Sequence, residues 1–237
     1  KLRIHHPVLA CGPMGAVAVP ALSRLQDRPE VFRQHYKKGL RLLTAFTMPI
    51  VLFTLIDAHH IVGLVLGEQW MRVVPVFRAL VPAALMGSFN VDTGWVLLPL
   101  GLGKRKLKSS IYGGFFTLAA FGFGLQWGAI GLATAFSCAQ CIKKIPLVLY
   151  AYKGTGLKLR DLGSAIWPSA VASTVSGIAT YLVAGQLSQS GDIVPLILHG
   201  AAFSAVYVAV WLALPSGREF IRAIWVLGCN SFPALTT

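Results

Sequence analysis

Six stretches of this sequence, Leu42–Ile56, Ala79–Leu100, Ser109–Leu125, Gly128–Tyr152, Leu162–Gln186 and Ile193–Leu214, are strongly apolar and nearly free of charge. Most approach the ~20 residues that a helix needs to cross the hydrocarbon core of a bilayer. Only 12% of the residues are charged and the mean hydropathy is +0.67, whereas soluble domains carry about 25% charged residues. A soluble core is therefore the wrong expectation. The predicted fold class is all-α: a polytopic transmembrane helix bundle of about six spans, with Pro7–Leu22 as the end of a seventh.

The charges are few but ordered. The chain has 21 Lys and Arg against 8 Asp and Glu, a net charge of +13. No nucleic-acid motif accompanies this excess, so nucleic acid is not an expected partner. The connections at 24–41, 104–108, 153–161 and 216–222 hold six, four, three and two Lys or Arg, while the alternate connections hold only Arg72. That asymmetry is the positive-inside pattern, and it predicts a multi-pass membrane protein with its basic segments and C-terminus in the cytoplasm. Three regions follow: a membrane-helix end and basic interfacial segment over 1–41, the bundle over 42–214 and a cytoplasmic tail over 215–237. A chain that opens on Lys1 and on the end of a helix reads as the C-terminal part of something longer.

Pro20 can end an incoming helix, and Arg28-Pro29-Glu30 favours a fresh start, with Pro in the first turn and Glu at the positive end of the helix dipole. From Glu30 to Arg41 the pattern fits an interfacial helix that offers Val31, Phe32, Tyr36 and Leu40 to lipid. The span that follows either runs through to Leu66 or stops near Asp57. Stopping costs less, because it leaves Asp57, His59 and His60 at the interface and Trp70 in the aromatic belt.

In order along the chain, PALSRLQDRPEVFRQHYKKGLRLL, GEQW with VVPVFRALVPAAL, LLPLGLGKRKLK and LQWGAIGLATAFS resemble the bacterial O-antigen and exopolysaccharide flippase family, within the multidrug, oligosaccharidyl-lipid and polysaccharide exporter superfamily. The resemblance implies two bundles of helices around a cavity, of which this chain is the second and an N-terminal bundle its partner. It also implies export of a lipid-linked oligosaccharide across the cytoplasmic membrane by a protein that is not an enzyme and needs no cofactor. The alternatives are a cation-coupled drug exporter of the same superfamily and a membrane-embedded glycan transferase or polymerase.

Ionisable groups within spans are expensive and point to function. Arg78, Ser88 and Asp92 fall on one stripe if a single helix carries them, Asp92 about 40° from Arg78 at 100° per residue. Ser137, Gln140, Cys141 and Lys144 follow the i, i+3, i+4, i+7 rule on the fourth span, a polar stripe ending in a cation. Given a substrate with a diphosphate, as the resemblance implies, Lys144 is the expected contact, and Lys143 reaches for the cytoplasmic interface instead. The glycines at 113, 114, 122, 124, 128 and 131, with Ala135, allow close helix approach. No metal is expected at the lone Cys138–Cys141 pair, nor at His59 and His60, which diverge by about 100° on a helix. His199 reads as hydrogen-bonded packing.

Overall fold

The structure, a computed structural model, describes residues 19–87, 91–184, 193–214 and 217, the side chains of 91–93, 183–184 and 193–195 excepted. Among the described residues the order is α1 (Pro29–Ile56), α2 (Ala58–Leu66), a 3-10 turn (Glu68–Val73), α3 (Val74–Gly87), α4 (Val91–Leu97), α5 (Gly103–Gly124), a 3-10 turn (Leu125–Trp127), α6 (Gly128–Tyr152), α7 (Leu159–Ala184) and α8 (Ile193–Ala213), with no strand. Pro29–Ile56, Glu68–Gly87, Gly103–Tyr152 and Leu196–Ala213 are long and apolar enough to cross a membrane. The third of these is a hairpin of two helices, α5 and α6. The end of a seventh span before residue 19 and the tail from 218 onward lie outside the described residues.

The chain divides into two compact units, one of residues up to Thr47 with Pro75–Ala165, the other of Met48–Val74 with the residues from Ile166. α1, whose residues up to Thr47 belong to the first unit, is one helix of 28 residues, so the boundary drawn at Arg41 falls inside it. The apolar face Phe32, Tyr36 and Leu40, expected to meet lipid, is at most 2% exposed and continues into Leu43 and Thr44. It is the inward face of the helix. An apolar stripe at 3.6 spacing looks the same whether it meets lipid or protein, which is why the sequence pattern misassigned it.

The span expected over Ala79–Leu100 begins earlier, at Val74, with Pro82 inside α3. α4 ends in a Schellman arrangement: Leu102 N donates to Leu97 O at 2.8 Å and Gly101 N to Leu98 O at 3.1 Å. Gly101 has φ +69°, a conformation that glycine adopts without the Cβ penalty. α5 and α6 then form an antiparallel hairpin in which the Phe121 and Phe136 rings stack 5.5 Å apart. A Cβ added at Gly124 would lie 2.9 Å from Gly131 O and 2.8 Å from the Ala135 Cβ, whereas one at Gly113, Gly114 or Gly122 would meet nothing within 4 Å. Close approach therefore belongs to Gly124, Gly131 and Ala135, at the closed end of the hairpin.

In the second unit, α1 ends at Ile56 and Asp57 breaks the helix with φ −93°, ψ 22° before α2. The helix thus stops where the cheaper alternative placed its end. Phe53 packs its ring 5.5 Å from that of Phe203 on α8, and Gly177 on α7 gives room to Ile56. α7 buries Ser169, Ser173, Ser176 and Thr180. Ser176 Oγ donates to Ala172 O one turn back at 2.7 Å, so a small hydroxyl can enter a helix interior without a partner on another helix.

Gly124→Ala is expected to destabilise the chain in detergent by about 1–3 kcal/mol through overpacking of the hairpin, and Gly114→Ala to leave thermal unfolding unchanged or slightly improved. Equal effects at the two positions would contradict this assignment of the close approach.

Candidate functional site

Three of the basic connections meet at one end of the first unit. Arg33 on α1 grips Asp161 on α7 with two bonds, Nε to Oδ2 and Nη2 to Oδ1, each 2.8 Å. Lys37 Nζ lies 3.6 Å from the same carboxylate, and the Lys158 amide donates to Oδ2 at 3.0 Å. Arg105 on α5 donates to Lys153 O at 2.6 Å, beyond the end of α6. Between α1 and α6, the Tyr36 and Tyr152 hydroxyls are 2.8 Å apart and their rings meet edge to face. Asp161 is 3% exposed. Burial pushes its carboxyl up, but the bonds from Arg33 and the Lys158 amide and the charges of Arg33 and Lys37 outweigh it and hold the group below the ordinary value of 3.8.

The polar stripe of α6 belongs to that helix's buried face. Ser137 and Lys144 are buried, at 4% and 7% exposure, on the same side as Ala133, Val148 and Ala151. Gln140 and Cys141 are half-buried beside them. Ser137 Oγ donates to Ala79 O on α3, which brings the stripe to the residue next to Arg78. Arg78 itself is exposed. Ser88 lies outside the described residues, and Asp92 belongs to α4 with its side chain outside them.

Lys143 does not reach for the cytoplasmic interface. Its Nζ donates to Thr117 Oγ1 at 2.7 Å and lies 3.4 Å from Gly113 O, both on α5. A lysine stem is long enough to satisfy its ammonium on the neighbouring helix, and the nearest acceptors here are one helix away. On the same hairpin, Phe116, Ala120, Phe123, Ile130, Thr134 and Cys138 help line an apolar groove of about 570 Å³. Such a groove suits hydrocarbon and offers little to a sugar.

The second unit holds a polar cluster that single-residue reasoning did not assemble. Asp57 and His199 are each 2% exposed. Asp57 Oδ1 lies 3.0 Å from His60 Nδ1 and 2.9 Å from His199 Nδ1. The bend after α1 turns Asp57 inward, where two imidazoles share one of its oxygens. The i, i+3 spacing of Asp57 and His60 was visible in the sequence, but the third member lies 142 residues away.

Set against known proteins, residues 10–75 match the model of a family described as "Polysaccharide biosynthesis protein". The chain is 27% identical over 181 residues to the lipopolysaccharide biosynthesis protein WzxC of Escherichia coli (strain K12), a match covering 73% of this chain and 36% of that protein. It is 31% identical over 134 residues to an uncharacterized membrane protein in the cps region of Klebsiella pneumoniae, covering 54% and 27%. In fold it is similar to the lipid II flippase MurJ in an inward closed conformation, with a TM-score of 0.66, 15% identity, and coverage of 89% of this chain and 44% of that one. The chain thus matches about a third of the length of these curated relatives; its sequence likeness is to a polysaccharide biosynthesis family model and a lipopolysaccharide biosynthesis protein, and its likeness to the flippase is one of fold.

Arg33→Ala is expected to lower stability more than Asp161→Asn. The first leaves a buried carboxylate facing only Lys37 and an amide, and the second leaves a guanidinium that water can solvate. Because the folded carboxyl titrates below its unfolded value, the stabilisation it adds is full above about 3.8 and is lost as pH falls through the lower folded value. Unfolding of the wild type, Arg33→Ala and Asp161→Asn in detergent across pH checks both: the difference between wild type and Asp161→Asn should be flat near neutrality and shrink only in strong acid.

Proposed function

We propose that this chain, similar in sequence to a lipopolysaccharide biosynthesis protein and in fold to a lipid II flippase, is a helix bundle of a carrier that exports lipid-linked saccharide across the bacterial inner membrane. The observation that carries the reading is the WzxC match, which extends over 181 residues and so spans several of the helices rather than one motif. The reading is of a carrier, not a catalyst.

In this account α6 faces the transport route. Ser137, Gln140 and Lys144 present hydroxyl, amide and ammonium along its protein-facing side, with Arg78, Ser88 and Asp92 as the second polar set on the neighbouring segments. A helix with these groups on its lipid side would pay for desolvating them, so their burial against protein supports the assignment. When the route opens to water, Lys144 offers a compact positive charge to the diphosphate of the substrate, and the apolar groove on the α5–α6 hairpin suits its lipid. A second helix bundle completes the cavity, and rocking of one bundle against the other exposes the site to either side in turn. The gathered basic end of the first unit faces the cytoplasm in this arrangement, as does the C-terminus.

The test is export itself, measured as surface polysaccharide in cells that depend on this protein. A charged hydrogen bond is worth about 1.5–3 kcal/mol, so Lys144→Gln is expected to lower export about tenfold or more at normal protein level. Lys144→Arg should retain part of it. Lys143→Gln should weaken the hairpin while leaving export nearly intact. Small and equal effects at both lysines would sink the assignment of Lys144 to the substrate.

A further inference from the structure

We infer that Asp57, His60 and His199 form a binding site for one divalent transition metal ion of the zinc type, which joins the α1–α2 corner to α8. The inference concerns the second unit alone and stands apart from the transport reading.

The donor set comes first. Two imidazole nitrogens and one carboxylate oxygen are the ligands of zinc, cobalt and nickel, whereas magnesium and calcium take oxygen almost exclusively. Asp57, His60 and His199 each offer one ligand atom, and these three atoms all lie within 4.8 Å of one another. Metal–nitrogen and metal–oxygen distances of about 2.0–2.2 Å place adjacent ligand atoms of a tetrahedral site roughly 3.3–3.5 Å apart. The present nitrogen–oxygen separations of 2.9 and 3.0 Å thus need to open by only a few tenths of an ångström.

A second observation separates this cluster from ordinary packing. Asp57 Oδ2 and His199 Nε2 are buried without a hydrogen-bond partner. Both histidines crowd onto one carboxylate oxygen while the other stays unused. Hydrogen bonding alone would spread two donors over two acceptors, whereas a cation draws both rings and one carboxylate oxygen to one point. His60, with its side chain 27% exposed, is the side from which an ion enters and a water occupies the fourth position. The bend at Asp57 sets the corner, since it places Asp57 and His60 one turn apart and facing α8.

The test uses the full chain purified in detergent without a polyhistidine tag, stripped by chelation, then titrated with zinc chloride and, for its visible ligand-field bands, cobalt chloride. One ion per chain is expected, with cobalt bands of tetrahedral type. Replacing His5, His6, His35 and His59 together by alanine should leave binding unchanged, which separates the site from the other histidines. His60→Ala and His199→Gln should each weaken zinc binding about tenfold or more. If His199→Gln fails to fold, His60→Ala decides, because its side chain lies on the open side and its loss should leave the helical circular dichroism intact. A wild-type chain that retains no ion, or equal affinity in wild type and His60→Ala, overturns the inference.

Discussion

Asp161 is the anion on which the basic end of the first unit depends. Arg33 and Lys37 belong to one basic connection and Asp161 to another far away in sequence, and two basic connections brought together without a counter-charge would drive α1 and α7 apart. One carboxylate, buried and bound by a guanidinium fork and a backbone amide, reverses the sign of that interaction. The fork geometry is what arginine supplies and lysine does not. With α1 and α7 fixed there, the inward face Phe32–Tyr36–Leu40 is set in place, and the Tyr36–Tyr152 contact brings in the end of α6.

The same requirement, that a polar group leaving water must find a partner, orders the remaining helices. Ser137 takes the Ala79 carbonyl across α6 and α3, and Lys143 takes Thr117 across α6 and α5. Gly124, Gly131 and Ala135 bring the two helices of the hairpin close enough for the Lys143 bond to form. A carrier needs helices that hold together within a unit and polar groups that can be exposed in turn. In the proposed carrier, Lys144 on the buried face of α6 takes the second role.

Much of this was legible in the sequence because charge and hydropathy act locally. The apolar runs gave the helices, the spacing of Lys and Arg gave the clustered basic end, and Asp57 marked the end of α1. What was not legible depends on contacts between distant residues. Arg33 meets Asp161 across 128 positions and Asp57 meets His199 across 142, and no periodicity announces either. The face Phe32–Tyr36–Leu40 was found but sent to lipid, since one helix alone does not say what covers it. The buried hydroxyls of α7 were visible at i, i+4, i+7 and i+11, yet small polar residues are common in membrane helices and drew no notice.

The account stands on the α5–α6 hairpin crossing the membrane with its basic end in the cytoplasm. Accessibility of single cysteines to a membrane-impermeant thiol reagent in intact cells tests this directly, with Cys11, Cys138, Cys141 and Cys229 first replaced by serine or alanine. Lys108 at the basic end and Gln126 at the closed end of the hairpin are both exposed. A cysteine at Gln126 is predicted to react from outside, and one at Lys108 to react only after the membrane is opened. Labelling of the Lys108 position in intact cells, or protection of the Gln126 position, would contradict the account.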